Sequence, residues 1–160
     1  MAVTHVSKDL EALSMTIEAQ FDATLERVWQ LWEDPRQLER WWGPPTYPAT
    51  VTEYGFAPGG DVSYYMTGPA GDLARGWWRF VAIEPPHRLE FENGIADDTG
   101  APHPDMPAMV VRVSLREVAP QRVLMSVEST FPSHEAMEHF MSMGMQEGMS
   151  LAVGQIDALL

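Results

Sequence analysis

Apolar and polar residues alternate along most of the chain, and this alternation predicts strands. Every second residue over 13–20 is apolar, which is typical of a strand with one buried face. The same two-residue period recurs over six further segments: 50–56, 62–67, 74–83, 88–92, 109–116 and 123–128. Turn signals rich in Gly and Pro separate most of them, so the pattern predicts antiparallel strands in meander order. Residues 93–107 have no period and are predicted to form a long loop.

A helical period follows the first strand. Asp22 and Thr24 are candidate N-caps for a short helix, which Asp34 and Pro35 end. Proline is favoured at a first helical position, so Pro35 is predicted to open a second short helix. Adjacent tryptophans, Trp41 and Trp42, follow this second helical pattern directly.

The C-terminal segment is predicted to be one long amphipathic helix from Ser133 to Leu160. Ser133 is a good N-cap, and no proline interrupts the run. Gly144 and Gly148 lie on one face of it, where we expect the helix backbone to pack closely against neighbouring elements. Helices at both ends of an antiparallel run of strands predict an α+β fold.

Chain length and net charge limit the number of domains and the kinds of partner. With 160 residues, the chain is expected to form one domain over 13–160, preceded by an N-terminal tail over 1–12. The formal charge of −13 argues against nucleic acid and anionic membranes as partners. No apolar run reaches the roughly 20 residues of a membrane helix, and the first residues do not resemble a secretory signal, so we expect a cytoplasmic protein.

No recognisable catalytic, metal or cofactor motif is present. The chain has no cysteine, which excludes disulfides and thiolate chemistry. His134 and His139 are five residues apart, and their rings diverge by roughly 140° on a helix, so we reject them as a metal pair. Gly59 and Gly60 lie in a turn between strands rather than before a helix, which does not fit a phosphate loop. We therefore predict no catalytic residues, no metal and no cofactor.

Several short motifs together resemble a known family. They are FDAT at 21–24, LERWWGP at 38–44, FAPGG at 56–60, GW at 76–77, IEPPHRL at 83–89 and MQEGM at 145–149. In this order they resemble bacterial proteins of the activator of Hsp90 ATPase homologue 1-like family, within the helix-grip (START-like, Bet v 1-like) superfamily. Met149 departs from the pattern, since tryptophan is more usual there.

The resemblance implies a helix-grip fold. Seven antiparallel strands would curve around the long C-terminal helix, with two short helices after the first strand and a cavity between sheet and helix. The superfamily includes lipid carriers, receptors, aromatase/cyclases, small-molecule sequestering proteins and co-chaperone domains. Resemblance to this superfamily alone does not determine the function of the chain.

The leading hypothesis is a non-enzymatic protein that binds a small apolar or aromatic molecule in this cavity. Its predicted lining consists of large apolar side chains: Trp41, Trp42, Tyr64, Met66, Trp78, Phe80, Met109, Met137, Phe140, Met141 and Met145. Methionine adapts to irregular apolar shapes, although helical spacing alone also predicts a core stripe for those near the C-terminus. Of the adjacent rings Trp41 and Trp42, we expect one in the core and the other at the cavity mouth.

Three polar side chains are candidate ligand contacts: Arg79, Arg112 and His103. The first alternative function is an aromatase/cyclase-type enzyme, which needs acid–base groups in the cavity such as Tyr64, Arg79 or His103. The second alternative is a co-chaperone-like interaction module.

The adjacent pair Trp77 and Trp78 must point to opposite faces of a strand. One of them therefore faces away from the concave side. Exposure of that ring would favour a homodimer contact, whereas loops or termini covering it would not.

Overall fold

The computed structural model describes residues 3–160, which form eight strands and four α-helices. The strands are β1 (Val3–Asp9), β2 (Ser14–Phe21), β3 (Ala49–Tyr54), β4 (Asp61–Thr67), β5 (Leu73–Glu84), β6 (Arg88–Ile95), β7 (Met109–Ala119) and β8 (Arg122–Thr130). The helices are α1 (Leu25–Glu33), α2 (Pro35–Leu38), α3 (His134–Ser142) and α4 (Met145–Gly154), and a 3₁₀ turn, Ile156–Leu159, follows α4. No helix of this part of the chain is long and apolar enough to cross a bilayer.

All eight strands belong to one antiparallel sheet in the order β1-β2-β8-β7-β6-β5-β4-β3. Strands β3 to β8 follow the predicted meander, and β2 joins β8. The predicted α+β class is therefore confirmed, but the expectation of seven strands is wrong. The additional strand is β1, which occupies most of the segment expected to be a tail and pairs with β2.

An irregular register explains why β1 escaped detection. Between Val3 and His5 the pairing with β2 shifts by a β-bulge. A bulge inserts one residue and reverses the side-chain alternation beyond it. The half-buried residues Val3 and Val6 are consequently three apart rather than two or four, so the segment shows no two-residue period.

Side-chain caps determine where helices α1 and α2 start. The Thr24 hydroxyl accepts a hydrogen bond from the Arg27 amide at 3.2 Å and begins α1, which decides between the two candidate caps. Asp34 caps α2 by accepting from the Arg36 amide at 2.9 Å, and Pro35 occupies a first-turn position as predicted. Each cap satisfies an amide that the helix itself leaves unpaired.

The C-terminal helix is not continuous, contrary to the prediction. Gly144 adopts a left-handed conformation with φ of 81° and separates α3 from α4. Glycine takes up such a φ without steric cost, so it ends one helix and starts the next. Close packing does not explain these glycines: a Cβ at Gly148 would meet nothing within 4 Å, and one at Gly144 would meet only a Glu147 carboxylate oxygen at 4.0 Å.

The core lies between one face of the sheet and the helices. Helix α1 packs on β7 and β8, whereas α4 contacts β1 and β2. The strand residues that face this core are alternate apolar positions, among them Met15, Ile17, Phe21, Val62, Trp78, Phe80, Phe91, Val111, Val113, Met125 and Val127. The alternation read from the sequence therefore separates the two faces of most strands, whereas for β5 the structure decides that Trp78 and Phe80 face the core.

Candidate functional site

A cavity of about 240 Å³ lies where strands β4 to β6 meet the junction of α3 and α4. Its strand wall is formed by Tyr64, Met66, Ala74, Arg75, Gly76, Asn93, Gly94, Ile95 and Met109. Its helix wall is formed by Phe140, Met143, Met145, Gly148 and Met149, and the segment after α2 adds Trp42 and Pro44. Thioethers, aromatic rings and aliphatic groups dominate this surface, which is the usual composition of a small-molecule pocket.

Six of the eleven residues predicted to line a cavity border this one. They are Trp42, Tyr64, Met66, Met109, Phe140 and Met145. Three further apolar residues border the cavity but were not among the eleven: Ile95, Met143 and Met149. Ile95 fell in a segment interpreted as a loop, and Met143 lies at the helix break, where it is 58% exposed.

The other five predicted residues do not border the cavity, and three of these are core aromatics. Trp41 is completely buried, and its indole Nε1 donates to the Leu31 carbonyl at 3.0 Å. The ring of Trp78 stacks on Phe91 with centroids 3.9 Å apart, and Phe80 packs edge-on against both rings. Met137 is buried and Met141 is partly buried elsewhere against the core. The sequence identified these residues as apolar but not which part of the interior they fill.

The aromatic cluster explains why the cavity is confined to one end of the interior. Trp32 on α1 lies at its centre, with ring centroids 4.7 Å from Trp41 and 6.1 Å from Trp42. Trp42 in turn lies 4.7 Å from Trp78. The rings meet mostly edge to face, an arrangement that aromatic pairs favour. These aromatic side chains therefore fill the space beneath α1, and the cavity lies beneath the junction of α3 and α4.

The adjacent tryptophans differ in their surroundings, although both are buried. Trp41 points into the core, whereas Trp42, which is 5% exposed, borders the cavity. Gly43 makes the sharp turn after them, because a Cβ there would stand 2.0 Å from the Tyr47 carbonyl oxygen. Gln155, next to the C-terminal turn, donates to the Gly43 carbonyl at 2.7 Å and ties this segment down.

The two arginines predicted to contact a ligand do not border the cavity. Arg79 pairs with Asp61 at 3.1 Å, and Arg112 pairs with Glu90 at 3.2 Å and with Glu128 at 3.6 Å, all on the exposed face of the sheet. Arg79 follows the inward-facing Trp78 directly in β5, and successive side chains of a strand point to opposite faces, so Arg79 points outward.

His103 lies in the loop after β6 and does not border the cavity either. Its amide donates to the Ile95 carbonyl at 2.9 Å, and its Nδ1 accepts from the Asp105 amide at 3.2 Å. Among the described residues, no group of three or more His, Asp or Glu side chains is arranged to hold a metal ion.

Asn93 is the polar cavity residue that the sequence did not reveal. It continues the alternation of Leu89 and Phe91 on β6, but the Gly- and Asp-rich composition after it favoured a loop. Its side chain is 8% exposed, and its Nδ2 donates to the Trp77 carbonyl at 3.1 Å and to the Tyr64 hydroxyl at 3.2 Å. Extending the two-residue period of β6 by one step would have found it.

Tyr64 carries the other polar group of the cavity wall. Burial raises the pKa of its phenol, and hydrogen-bond donors around the oxygen oppose that rise: the indoles of Trp42 and Trp78 and the amide of Asn93. Of these three donors, only Asn93 makes a well-formed hydrogen bond to it; the two indole N–H groups are buried without a partner. The phenol therefore stays protonated at neutral pH in a surrounding of donors.

Arg75 also borders the cavity, but its charge is directed elsewhere. The guanidinium lies over the ring of Tyr65, 5.7 Å from the centroid. Tyr65 is the cross-strand partner of Arg75 and alternates with Tyr64, so both side chains belong to the outer face of the sheet. Trp77 lies on this outer face too, half-buried against Gly94, where a Cβ would stand 2.6 Å from its Nε1.

Comparisons with known proteins agree with this architecture. The family described as activator of Hsp90 ATPase homolog 1-like protein matches residues 22–160. A structure from Arthrobacter aurescens is 53% identical, covers 98% of this chain and 90% of that chain, and has a TM-score of 0.94. A structure from Mycobacterium smegmatis is 42% identical over 99% of this chain and 96% of that chain, with a TM-score of 0.91.

More distant structures share the fold alone. The AHSA1 protein of Silicibacter pomeroyi is 17% identical, covers 91% of this chain and 95% of that chain, and has a TM-score of 0.72. No curated protein matches the sequence. The family match and the two close structures agree with the motifs read from the sequence: the chain belongs to the activator of Hsp90 ATPase homolog 1-like protein family.

Proposed function

We propose that this protein binds a small apolar or aromatic molecule in the cavity between the sheet and the C-terminal helices. The observation that carries the proposal is the cavity itself, about 240 Å³ in volume and lined chiefly by apolar side chains. An apolar cavity of about 150 Å³ in another protein takes up benzene, so the volume here suits one or two fused rings. The family is also consistent with binding of small hydrophobic molecules.

The helix wall supports an adaptable fit. Met143, Met145 and Met149 border the cavity on either side of the break at Gly144. Methionine side chains are flexible and polarisable, so they can close around ligands of different outline. This favours binding of a class of apolar molecules over selection of a single shape.

The methionines also supply the test. Titration of the ¹³C-methyl-labelled protein with tetralin, a two-ring hydrocarbon, is expected to shift the methyl resonances of the cavity residues: Met66, Met109, Met143, Met145 and Met149. Met15 and Met125 are buried within the sheet core away from the cavity, so their resonances serve as internal controls. Tetralin that leaves the cavity methyls unmoved at saturation would disprove the proposal.

A matched pair of variants locates the site. Gly148 borders the cavity and Gly154 ends the same helix in an exposed position, and a Cβ at either would meet nothing within 4 Å. Gly148→Leu is expected to weaken tetralin binding by at least tenfold, whereas Gly154→Leu should leave it within twofold of the unmodified protein. Equal binding by both variants would place the ligand outside this cavity.

The alternatives from the sequence have less support. Of the three candidates for aromatase/cyclase chemistry, Tyr64 borders the cavity, whereas Arg79 and His103 do not. A co-chaperone-like module would require capture of an Hsp90-type chaperone by the folded protein.

The homodimer and the cytoplasmic location also stay predictions. Light scattering at working concentration tests whether the protein is a homodimer.

A further inference from the structure

The hydroxyl proton of Tyr64 has no acceptor among residues 3–160. The Trp77 carbonyl is an acceptor only, so its bond to the Asn93 side chain at 3.1 Å must use the amide nitrogen. This fixes the orientation of the Asn93 amide. The second N–H of the same nitrogen then points to the Tyr64 oxygen at 3.2 Å, and Tyr64 acts there as the acceptor. Its own O–H is left free to donate.

Two indole groups close to this hydroxyl, those of Trp42 and Trp78, are also donors. The rings of Trp42 and Trp78 have centroids 6.2 Å and 6.3 Å from that of Tyr64, both at steep angles to it. Each indole N–H is buried without a hydrogen-bond partner. An indole nitrogen donates and does not accept, so neither ring can accept the hydroxyl proton of Tyr64. The hydroxyl of Tyr64 and the indole N–H groups of Trp42 and of the core residue Trp78 are thus three donors with no acceptor among residues 3–160, and such groups cost free energy when they are dry.

No carboxylate of the cavity lining is available to accept the Tyr64 hydroxyl proton. The cavity lining includes no Asp or Glu, and its one cationic side chain, Arg75, lies over Tyr65 on the outer face. The site therefore offers one free donor, the Tyr64 O–H, in a largely apolar surface whose lining also includes the amide group of Asn93. A bound molecule complements this O–H when it carries a hydrogen-bond-accepting oxygen on an apolar skeleton.

We propose that the cavity selects fused-ring molecules that carry a ketone oxygen, and that Tyr64 binds this oxygen through its O–H. The ring of Trp42, which also borders the cavity, packs edge to face against Tyr64 at the same corner. The proposal rests on the proposed function, since it names the ligand class of the same cavity. Tyr64 is a ligand-binding residue in this view, and no reaction step is assigned to it.

The test compares two probes of the same skeleton, tetralin and 1-tetralone, which differ by one carbonyl oxygen. Their affinities are measured by calorimetry or by the methionine methyl shifts in the unmodified protein and in Tyr64→Phe. One neutral hydrogen bond corresponds to roughly a 3- to 10-fold change in affinity. We expect Tyr64→Phe to weaken 1-tetralone by that factor and to leave tetralin within twofold.

Tyr65→Phe is the matched control. It removes the same hydroxyl from the neighbouring residue of β4, on the outer face of the sheet and outside the cavity. This variant should leave the affinity ratio of the two probes unchanged. Tetralin binding shows in each variant that the cavity is still formed.

Infrared spectroscopy supplies a second readout. A hydrogen bond lowers the carbonyl stretching frequency, so bound 1-tetralone should absorb at lower frequency in the unmodified protein than in Tyr64→Phe. An unchanged affinity ratio together with an unchanged carbonyl frequency would overturn this inference while the proposed function stands. Failure of both probes to bind the unmodified protein would instead overturn the proposed function.

Discussion

Tyr64 on β4 lies directly over Gly76, its cross-strand partner on β5. A Cβ at position 76 would stand 2.3 Å from both Cζ and the hydroxyl oxygen of Tyr64. The absence of a side chain at Gly76 therefore sets where the phenol lies, and with it the polar corner of the cavity. The Gly76-Trp77 pair, read in the sequence only as a family motif, thus has a direct structural role.

Gly76→Ala is expected to destabilise the protein by about 1–3 kcal/mol, because the methyl group overpacks against a ring held by neighbours. The displaced phenol should also lose its 3.2 Å hydrogen bond with Asn93. Urea unfolding measures the first effect, and the side-chain amide resonances of Asn93 report the second. In a Tyr64→Ala background the penalty should fall by at least about 1 kcal/mol, since the clashing partner is gone. Equal penalties in both backgrounds would show that Tyr64 is not the obstacle.

Two glycines of the C-terminal helices are expected to respond in opposite directions to the same substitution. Gly144→Ala should cost about 1–2 kcal/mol, because its φ of 81° is strained for any residue with a Cβ. Gly148→Ala should instead stabilise α4 by up to about 1 kcal/mol, since it lies inside the helix with free space around it. Thermal unfolding of both variants tests the contrast. A stabilising Gly144→Ala would mean that α3 and α4 join into one helix.

The adjacent tryptophans are expected to differ when each is shortened to phenylalanine. Trp41→Phe removes the donor to the Leu31 carbonyl at 3.0 Å in a fully buried site. Trp42→Phe removes an indole N–H that has no partner, so only packing is lost. We expect Trp41→Phe to be more destabilising by at least about 1 kcal/mol in urea unfolding. The opposite ranking would contradict the division of the pair into a core residue and a cavity residue.

Tyr54 is expected to make stability depend on pH in the alkaline range. Its hydroxyl donates to the Trp32 carbonyl, and burial raises its pKa well above the ordinary value, with smaller contributions from Glu33 and Asp34. The unfolded chain releases the tyrosine proton near pH 10, whereas the folded protein retains it. The contribution of Tyr54 is therefore complete below about pH 10 and is lost as pH rises towards the folded-state pKa, at up to about 1.4 kcal/mol per pH unit.

Urea unfolding between pH 9 and 11.5 checks this dependence. Tyr54→Phe should flatten the decline of stability above pH 10, and Tyr54→Phe combined with Tyr64→Phe should flatten it further, because burial raises the pKa of Tyr64 as well. An identical decline in Tyr54→Phe and the unmodified protein would show that Tyr54 does not titrate late.

The sequence by itself determined the parts of this protein that local patterns encode. Two-residue alternation predicted seven of the eight strands, and Pro35 and Ser133 predicted the starts of α2 and α3. The start of α1 was narrowed to two candidate caps, Asp22 and Thr24. These signals are local because a strand face or a helix cap depends on neighbours in the chain. The order of the motifs was also sufficient to predict the family.

Only the tertiary structure decided what fills the interior. Trp32, Trp78 and Phe91 come from α1, β5 and β6, and their contact fills one end of the space between the sheet and the helices. Periodicity shows which residues share a face but not which rings meet, because that depends on contacts between residues far apart in the chain. The cavity, its Tyr64–Asn93 corner and the helix break at Gly144 follow from those contacts and from one backbone angle, which a pattern of apolar residues does not record.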